Sequence, residues 1–433
     1  MHINRRCLTD THSPTTQNMT VEALQNIVVI GASGAGHSLV NELAGKLPET
    51  HRILLIERNE FVVHMPTIVR AAVVPGWEDK NLLARITQDT IFPAGSRHRV
   101  LTNTVTALSP SSRTLTLAHP FEGSTELSYD RVVVATGAAQ ALPMRPAPGS
   151  SLDEYKAVLR RMQADIKAAT SVLIVGGGTV GVEVAGEITA AYPGKKVTIV
   201  HGEPALLHAG ERRKEQPDPK EYVAPPTAPR LSASLEDQLK KRGVELVYED
   251  RVDAGADGKE LHTGPLGQLT RLPLASGGSV EADYVFLSIG NAPNSSLVAD
   301  VDPSAVTRSG HIAVDAHFHI LSSKLENAYA LGDVASVPGW KTLVNAIAEG
   351  PALAKIIDAE IRGKTPAAYS VPASSYSSLV TLGPGGGAGV IALPFIGEVG
   401  APGFVSSMKN ADFFASRAFY SRFRGAESVP TTL

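Results

Sequence analysis

Cysteine is almost absent from this 433-residue chain, which contains only Cys7. A single cysteine excludes an intrachain disulfide, a redox-active Cys-x-x-C pair and a metal site built from several cysteines. Cys7 also precedes the first predicted strand, far from every motif described below. We therefore expect neither a thiol relay nor a bound metal in the functional site.

A basic surface and a long apolar run are missing as well. The formal net charge is −3 and the isoelectric point is near 6.5, so no positive footprint for nucleic acid is present. No apolar stretch approaches the roughly 20 residues of a membrane span. Residues 1–21 are polar and predict a disordered leader without a secretory core. We expect a cytoplasmic protein, soluble or peripheral to a membrane, with a mitochondrial location less favoured.

Glycine, in contrast, is abundant and marks two turns of one kind. The turns begin at Gly31 and Gly176, and each follows a short apolar run typical of a buried parallel strand. A strand that opens into a helix through glycines brings backbone N–H groups and the positive helix end against a pyrophosphate. The chain therefore predicts an α/β fold with two Rossmann-like domains, each for one dinucleotide.

The first turn carries most of the residues that a dinucleotide needs. Gly31 allows the tight bend, Gly36 permits close packing of the helix, and Gly34 lies between them in the loop. Ser33 occupies the middle glycine position and can offer its hydroxyl to a phosphate. Glu57 ends the next predicted strand, where a carboxylate can accept hydrogen bonds from an adenosine ribose. The alternative for Glu57 is a surface acid that closes a strand.

The second turn has all three fingerprint glycines, Gly176, Gly178 and Gly181. The next predicted strand ends at His201, with Glu203 two residues further on. A carboxylate at the strand end favours NADH, whereas a basic residue favours the 2′-phosphate of NADPH. The sequence leaves NADH or NADPH open, with His201 as the candidate contact.

Three later motifs make a resemblance specific. Thr136 and Gly137 follow a strand-like valine run, Gly290 opens a Gly-x-x-Pro-Asn segment, and Gly332 precedes Asp333. With the two turns, this order resembles the two-dinucleotide-binding flavoproteins of the pyridine-nucleotide disulfide reductase family, with a glutathione-reductase-like FAD/NAD(P) fold. The resemblance implies FAD in the first unit, NAD(P)H in the second, and these five residues around the cofactors, with Asp333 at the ribityl-phosphate region.

Two residues are candidates for a catalytic role. Glu183 lies in the first turn of the helix after Gly181, and it resembles a glutamate of type-II NADH:quinone oxidoreductases near the meeting of nicotinamide and flavin. The alternative is an acid favoured only by the helix macrodipole. Lys341 precedes an apolar helical segment whose N-terminus could stabilise negative charge on a reduced flavin. A solvated lysine is the alternative there.

The motifs also divide the chain into units. We predict a discontinuous FAD-binding domain over 22–150 and 284–363, an NAD(P)H-binding domain over 151–283, and a small α+β C-terminal interface or acceptor domain over 364–433. A proline-rich excursion over 211–230 interrupts the second unit and rejoins a helix near residue 234. In the C-terminal unit, a glycine-rich connection near residue 385 predicts a hairpin.

The C-terminal segment 408–424 interleaves four basic residues with five aromatics. Such a helix could rest on a membrane surface, pack on its own domain or pack across a homodimer. The whole pattern resembles the apoptosis-inducing-factor-like and ferroptosis-suppressor-like branch, whose members use FAD to take hydride from NAD(P)H and reduce quinones. We predict that function here, with electrons leaving the flavin for a quinone-like acceptor without a cysteine. The alternatives are a flavin oxidoreductase that tailors a small metabolite and an NADH-sensing interaction protein.

Overall fold

The computed structural model describes residues 24–80, 82–208, 220–253, 261–290, 292–401, 403, 419 and 422–423. The described strands are β1 Gln25–Ile30, β2 His51–Glu57, β3 Phe61–Val63, β4 Leu83–Arg85, β5 Arg99–Thr102, β6 Val105–Ser109, β7 Thr114–Phe121, β8 Ser124–Ser128, β9 Arg131–Val134, β10 Ala138–Ala139, β11 Ser171–Val175, β12 Lys196–Val200, β13 Glu245–Val247, β14 Gly264–Pro273, β15 Ser279–Leu287, β16 Ala292–Pro293, β17 Ala328–Ala330, β18 Ser378–Thr381, β19 Gly387–Leu393 and β20 Gly397–Gly400. The described α-helices are α1 Gly34–Leu43, α2 Met65–Ala71, α3 Gln88–Ile91, α4 Leu152–Ala168, α5 Thr179–Ala191, α6 Pro229–Lys241, α7 Ser296–Ala299 and α8 Leu343–Ile361.

The first glycine turn belongs to a parallel five-stranded sheet in the order β17-β9-β1-β2-β5. Its central strands read as continuous apolar runs because both faces are covered, and Ile27, Val28 and Val29 are fully buried. Strand β17 comes from far along the chain, so residues near 330 return beside β9. The predicted α/β fold with Rossmann-like units is confirmed.

The second glycine turn belongs to another five-stranded sheet, in the order β13-β12-β11-β15-β14. Strand β15 pairs in parallel with β11, through Tyr284 to Leu287 against Val172 to Val175. The predicted domain boundary at residue 284 therefore falls inside a strand of this sheet. The apolar run that suggested a return to the first unit instead completes the second one.

Helices α1 and α8 pack against each other beside the first sheet. Their close approach depends on Gly350, since a Cβ added there would lie 2.5 Å from the backbone nitrogen of Leu39. Helix α8 also contains Pro351 in its interior. The packing fixes the N-terminus of α8 near the first glycine turn, where a Cβ added to Gly34 would lie 2.4 Å from Cδ1 of Leu343.

The C-terminal unit is a three-stranded antiparallel sheet of β18, β19 and β20. The predicted hairpin is β18 and β19, whereas β20 was not predicted because its four residues carry little apolar signal. Most of 408–424 lies outside the described residues. Phe419 and Phe423 are described, and both are buried against the core of the first sheet.

Two further features concern the segments between the units. Helix α6 begins at Pro229, earlier than predicted, because proline suits the first turn of a helix. Of the predicted excursion 211–230, residues 211–219 lie outside the described residues.

None of the helices in the described residues is long and apolar enough to cross a membrane.

Candidate functional site

A cavity of about 580 Å³ lies where the two units and the C-terminal sheet meet. Its wall contains residues from both glycine turns, from the start of α8 and from the loop before β18. The predicted site residues in this wall are Ser33, Gly34, Gly137, Gly178, Glu183, Gly290, Gly332, Asp333 and Lys341. The structure thus brings together residues that are up to about 300 positions apart in the sequence.

Two positions of the first turn accept only glycine because backbone carbonyl groups lie too close for a side chain. Gly31 has a φ of 106°, and a side chain there would collide with the carbonyl oxygen of Ala135. A Cβ on Gly36 would collide with the carbonyl oxygen of Gly31. These two residues bring the start of α1 close to β1, and Ser33 is the residue just before that helix. The first residues of α1, Gly34 and Ala35, consequently form part of the cavity wall.

The second turn repeats this construction. Gly176 has a φ of 110° and lies against the carbonyl of Ser288, and Gly181 lies against the carbonyl of Gly176. Gly178, the residue before α5, has no atom within 4 Å of the place where a Cβ would be. That open space beside a helix N-terminus is the room that a pyrophosphate needs. The absent side chain leaves the backbone accessible.

The strand-end residues Glu57 and His201 occupy equivalent places in the two units. The backbone N–H of Ala32 donates to Glu57 Oε2 at 2.8 Å, and the N–H of Gly177 donates to His201 Nδ1 at 3.1 Å. Burial raises the pKa of Glu57, and hydrogen bonds from backbone N–H groups oppose that rise. Both side chains lie away from the large cavity, along the turns, where an adenosine ribose would reach.

The protonation of His201 follows from its hydrogen bond. Because Nδ1 accepts from Gly177, the neutral ring carries its hydrogen on Nε2. That Nε2 is buried and has no hydrogen-bond partner in the described part of the chain. Burial also lowers the pKa of His201, which favours the neutral ring. His201 therefore offers a donor where Glu57 offers an acceptor.

Asp333 lies in a short 3-10 helix, Gly332–Val334, that leads into the cavity. Its carboxylate Oδ2 is 3.3 Å from Nη2 of Arg145. Glu349 of α8 fixes this short helix, because its carboxylate accepts a hydrogen bond from the backbone N–H of Gly332 at 2.6 Å. Glu349 is buried, and burial raises its pKa. Helix α8 thus positions Asp333 through Glu349.

Lys341 lines the cavity, but backbone oxygens surround its ammonium group. Its Nζ donates to the carbonyls of Ala335 at 2.6 Å and Val337 at 2.9 Å, and lies 4.6 Å from the ring centre of Tyr222. Burial lowers its pKa. A freely solvated lysine, the alternative considered from the sequence, does not fit these contacts. The catalytic role of Lys341 stays a prediction.

Glu183 is buried in α5 and links that helix to the C-terminal sheet. Its Oε1 accepts hydrogen bonds from the Thr381 hydroxyl at 2.8 Å and the Thr381 backbone N–H at 3.2 Å. The residue also lies in the cavity wall beside Gly178. Its position is set by these contacts rather than by the helix dipole alone. Its catalytic role likewise stays a prediction.

Thr136, Gly137 and Gly290 lie at the crossing between the units. The Thr136 hydroxyl donates to the carbonyl of Asn294 at 2.8 Å, and the Asn294 amide donates back to the Thr136 carbonyl at 2.8 Å. Gly137 and Gly290 have positive φ values of 66° and 54° and open space where a Cβ would be. The hydroxyl of Thr136 holds together the two segments that connect the units, whereas the two glycines leave open space in the cavity wall.

Arg145 is the main site residue that the sequence did not reveal. It lines the cavity, and its buried Nε has no hydrogen-bond partner in the part of the chain that the structure describes. A buried donor without a partner is costly, and an anionic ligand would satisfy it. Together with the open space at Gly178, this orphaned donor shows that the cavity fits phosphate-bearing cofactors. The only sequence signal was a cation within the proline-rich loop 143–148.

Comparisons with known proteins agree with this geometry. The family model described as "Pyridine nucleotide-disulphide oxidoreductase" matches residues 25–216 and 218–350. The sulfide:quinone oxidoreductase from Aquifex aeolicus has a similar fold, with a TM-score of 0.65 and 15% identity, over 94% of this chain and 93% of that chain.

Two curated relatives extend the similarity. Apoptosis-inducing factor homolog A of Dictyostelium discoideum is 28% identical over 352 residues, which cover 78% of each chain. Human ferroptosis suppressor protein 1 is 24% identical over 396 residues, which cover 91% of this chain and 95% of the relative. These are the branches that the sequence motifs resembled. The chain belongs to the pyridine nucleotide-disulphide oxidoreductase family and is an NAD(P)H-dependent flavin oxidoreductase.

Proposed function

We propose that this protein holds FAD in its first unit, takes hydride from NAD(P)H bound at the second, and passes the electrons to a quinone-like acceptor. The observation that carries the proposal is the single cavity lined by residues of both glycine turns, Ser33 to Ala35 and Gly178 to Val180. Two dinucleotides that enter from those turns would meet there. When bound, the flavin supplies a ring that accepts hydride and releases electrons as a pair or singly.

The cofactor assignment follows from the two strand-end residues. A fixed carboxylate at Glu57 suits the two hydroxyls of the FAD adenosine ribose. Asp333, held by Glu349 and facing Arg145, would contact the ribityl-phosphate region, while the Arg145 guanidinium would bind the phosphates. In the second unit, Gly178 and the start of α5 would hold the phosphates of NAD(P)H.

The absence of a thiol favours an acceptor that reacts at the flavin itself. Helix α1, which follows the first glycine turn, contains no cysteine, and Cys7 lies outside the described residues. No cysteine in the described chain can therefore relay electrons to a disulfide. A quinone needs no such relay.

The acceptor side of the cavity is apolar. Met65, Pro66, Ile68 and Val69 of α2 form one part of the wall, and Val344 at the start of α8 is 63% exposed. Such a wall suits a flat, hydrophobic acceptor ring. The N-terminus of α8, capped by Thr342, also points its unpaired N–H groups at this region. Those N–H groups would stabilise negative charge on the bound ring system.

Glu183 is the residue that we place nearest to the nicotinamide. It shares α5 with the second turn and is fixed by Thr381, so its carboxylate cannot swing away. Its role would be to orient the donor ring rather than to carry a proton. Positioning of this kind accounts for a large share of rate enhancement in hydride transfer.

The test is stopped-flow reduction of the FAD-loaded protein by NADH or NADPH, followed by mixing with a water-soluble ubiquinone analogue. We expect fast bleaching of the visible flavin absorbance and fast recovery with the quinone. Glu183→Gln should keep full flavin content but slow reduction by about 10-fold or more, while reoxidation by quinone stays unchanged. Equal reduction rates in both proteins would remove Glu183 from the proposal.

The same experiment separates the alternatives. A long-lived reduced species that quinones do not oxidise, accompanied by a change in oligomeric state on NADH addition, would support the sensor. Fast reduction with reoxidation only by a small metabolite would support the tailoring enzyme. Either result would overturn the quinone assignment.

A further inference from the structure

A turn in the first unit places two histidines and an aspartate side by side. In the sequence Asp315-Ala316-His317-Phe318-His319, one ligand atom from each of the three polar side chains lies within 4.8 Å of the other two. Asp315 Oδ2 is 3.2 Å from His319 Nδ1 and 4.0 Å from His317 Nδ1. We propose that Asp315, His317 and His319 bind one divalent transition-metal ion of the zinc class.

The spacing of the three groups suits tetrahedral coordination. Zinc bonds to histidine nitrogen and carboxylate oxygen are about 2.0–2.2 Å long, which puts tetrahedral ligand atoms roughly 3.3–3.5 Å apart. The distance from Asp315 to His319 is already close to that value, and His317 needs only a small side-chain rotation. All three side chains are 31–37% exposed, so a water molecule can complete the coordination.

Backbone hydrogen bonds orient the carboxylate of Asp315. Its Oδ1 accepts hydrogen bonds from the backbone N–H groups of His317 at 2.8 Å and His319 at 2.9 Å. Oδ2 is thereby turned toward the two imidazoles. Phe318, between the histidines, is buried and packs on the ring of Tyr369, which anchors the turn. The ligands are therefore held on a fixed segment rather than on a free loop.

A second carboxylate supports the outer nitrogen of His319. Glu360 Oε1 lies 3.0 Å from His319 Nε2, and Glu360 Oε2 accepts a hydrogen bond from the Tyr329 hydroxyl at 2.5 Å. Histidines that bind metals almost always donate their other ring N–H to a carboxylate or carbonyl, which fixes the ring and makes it a better ligand. Glu360 is that carboxylate, and this pairing distinguishes the cluster from a chance group of polar side chains.

The chemistry of binding is a simple exchange. Without metal, the proton on His319 Nδ1 faces Asp315 Oδ2. The metal takes that position, the proton passes to solvent, and Nε2–H stays with Glu360. The imidazole-rich ligand set favours zinc over magnesium, which prefers oxygen ligands.

The site has a structural consequence because its parts come from separate elements. Glu360 lies in the last turn of α8 and Tyr329 in β17, whereas the three ligands lie in a turn that precedes β17 in the chain. None of these residues lines the large cavity, so the proposal is independent of the proposed function. A bound ion would fasten the C-terminal end of α8 to the first sheet.

The experiment is a zinc titration of the full-length, flavin-loaded protein after treatment with a chelator, against a chromophoric zinc indicator. We expect one zinc ion per chain with micromolar or tighter affinity, a higher midpoint of thermal unfolding, and no competition from excess magnesium. Asp315→Asn keeps the two backbone hydrogen bonds but removes the charged ligand, so its affinity should fall at least 10-fold. Glu360→Gln should weaken binding about 10- to 100-fold.

Two variants provide the decisive comparison. His317→Gln/His319→Gln should abolish both zinc binding and thermal stabilisation, whereas His119→Gln, a change at an exposed histidine of β7, should leave both intact. Flavin content reports whether each variant is folded. Equal zinc binding by the double variant and the wild type would overturn the proposal, and so would a wild type that binds no zinc at micromolar concentration.

Discussion

At the scale of single residues, the two halves of the molecule use one backbone contact with two different side chains. The second residue of each glycine turn donates its N–H to a side chain at the end of the next strand, which is Glu57, the last residue of β2, in one half and His201, the residue after β12, in the other. A carboxylate can accept from both ribose hydroxyls, whereas the neutral imidazole can donate only once. His201 is thus a natural position to alter pyridine nucleotide preference.

We predict that His201→Glu improves the use of NADH. The new carboxylate would reproduce the arrangement of Glu57 and lower KM for NADH by about 5- to 10-fold, as expected for a charge-assisted hydrogen bond. KM for NADPH should rise, since the carboxylate repels the 2′-phosphate. Steady-state kinetics with both nucleotides gives the answer. His208→Glu adds the same charge without the contact to Gly177, and equal effects in both variants would contradict the assignment.

A second prediction concerns acid stability. Burial lowers the pKa of His64 to about 3, far below its ordinary value of 6.5. Between these values the unfolded chain binds the proton and the folded chain does not, so the free energy of unfolding falls as pH falls. The expected contribution is up to about 1.4 kcal/mol per pH unit, spread from near pH 6.5 downward.

His64→Asn should reduce that slope. Asparagine does not titrate and can still occupy the position before α2, which is the place of His64. Urea unfolding between about pH 7 and pH 4.5 measures the slope, which is independent of any constant loss of stability from the substitution. His119→Asn, at an exposed site, is the control. An unchanged slope in His64→Asn would mean that His64 has the same pKa in the folded protein as in the unfolded chain.

At the scale of elements, the contact between α1 and α8 sets the shape of the first cofactor site. We predict that Gly350→Ala destabilises the protein by about 1–3 kcal/mol, because the added methyl collides with the backbone of α1. Flavin retention should fall as well, since both helix N-termini line the cavity. Gly45→Ala has open space around the added methyl and should change neither property. Chemical denaturation and flavin content measure the two effects, and a neutral Gly350→Ala would contradict this packing.

The helices and strands also show which features of the fold could be predicted from sequence signals alone. Strands β1 and β11 were recognisable because each is an apolar run that leads directly into a glycine turn, and β2 and β12 because each is the next apolar run after such a turn. The boundary at 284 was misplaced, since an apolar strand does not reveal which sheet it joins. The start of α6 was placed too late because Pro229 was counted with the proline-rich excursion, although proline suits the first turn of a helix. Arg145, Glu349 and Thr381 were missed because their partners lie far away in sequence. Such contacts depend on the assembled fold, and a single sequence carries no local signal for them.

At the scale of the whole molecule, a buried ion pair joins the two units. Arg70 of α2 donates from Nε at 2.9 Å and from Nη2 at 3.1 Å to the two carboxylate oxygens of Glu187 in α5. Both side chains are at most 2% exposed, and the guanidinium also lies over the ring of Trp77. Apolar residues of both units form one hydrophobic cluster around the pair. The two halves therefore share a core at this point.

We predict that Glu187→Leu destabilises the protein by about 3–5 kcal/mol, because it leaves a buried cation without its carboxylate. Adding Arg70→Met should restore most of that loss, since a matched apolar pair removes both charges from the core. Equilibrium denaturation of the single and double variants measures the coupling. If the double variant is no more stable than Glu187→Leu, the loss comes from packing instead of charge.

The difference between Glu57 and His201 also affects how long each nucleotide stays bound. A flavin coenzyme has to persist through many reaction cycles, while a spent nicotinamide has to depart after each one. We expect the carboxylate to give the first nucleotide a long residence and the neutral ring to give the second a short one. His201→Glu would then lengthen the stay of NAD⁺, and at saturating NADH the turnover number would become limited by product release.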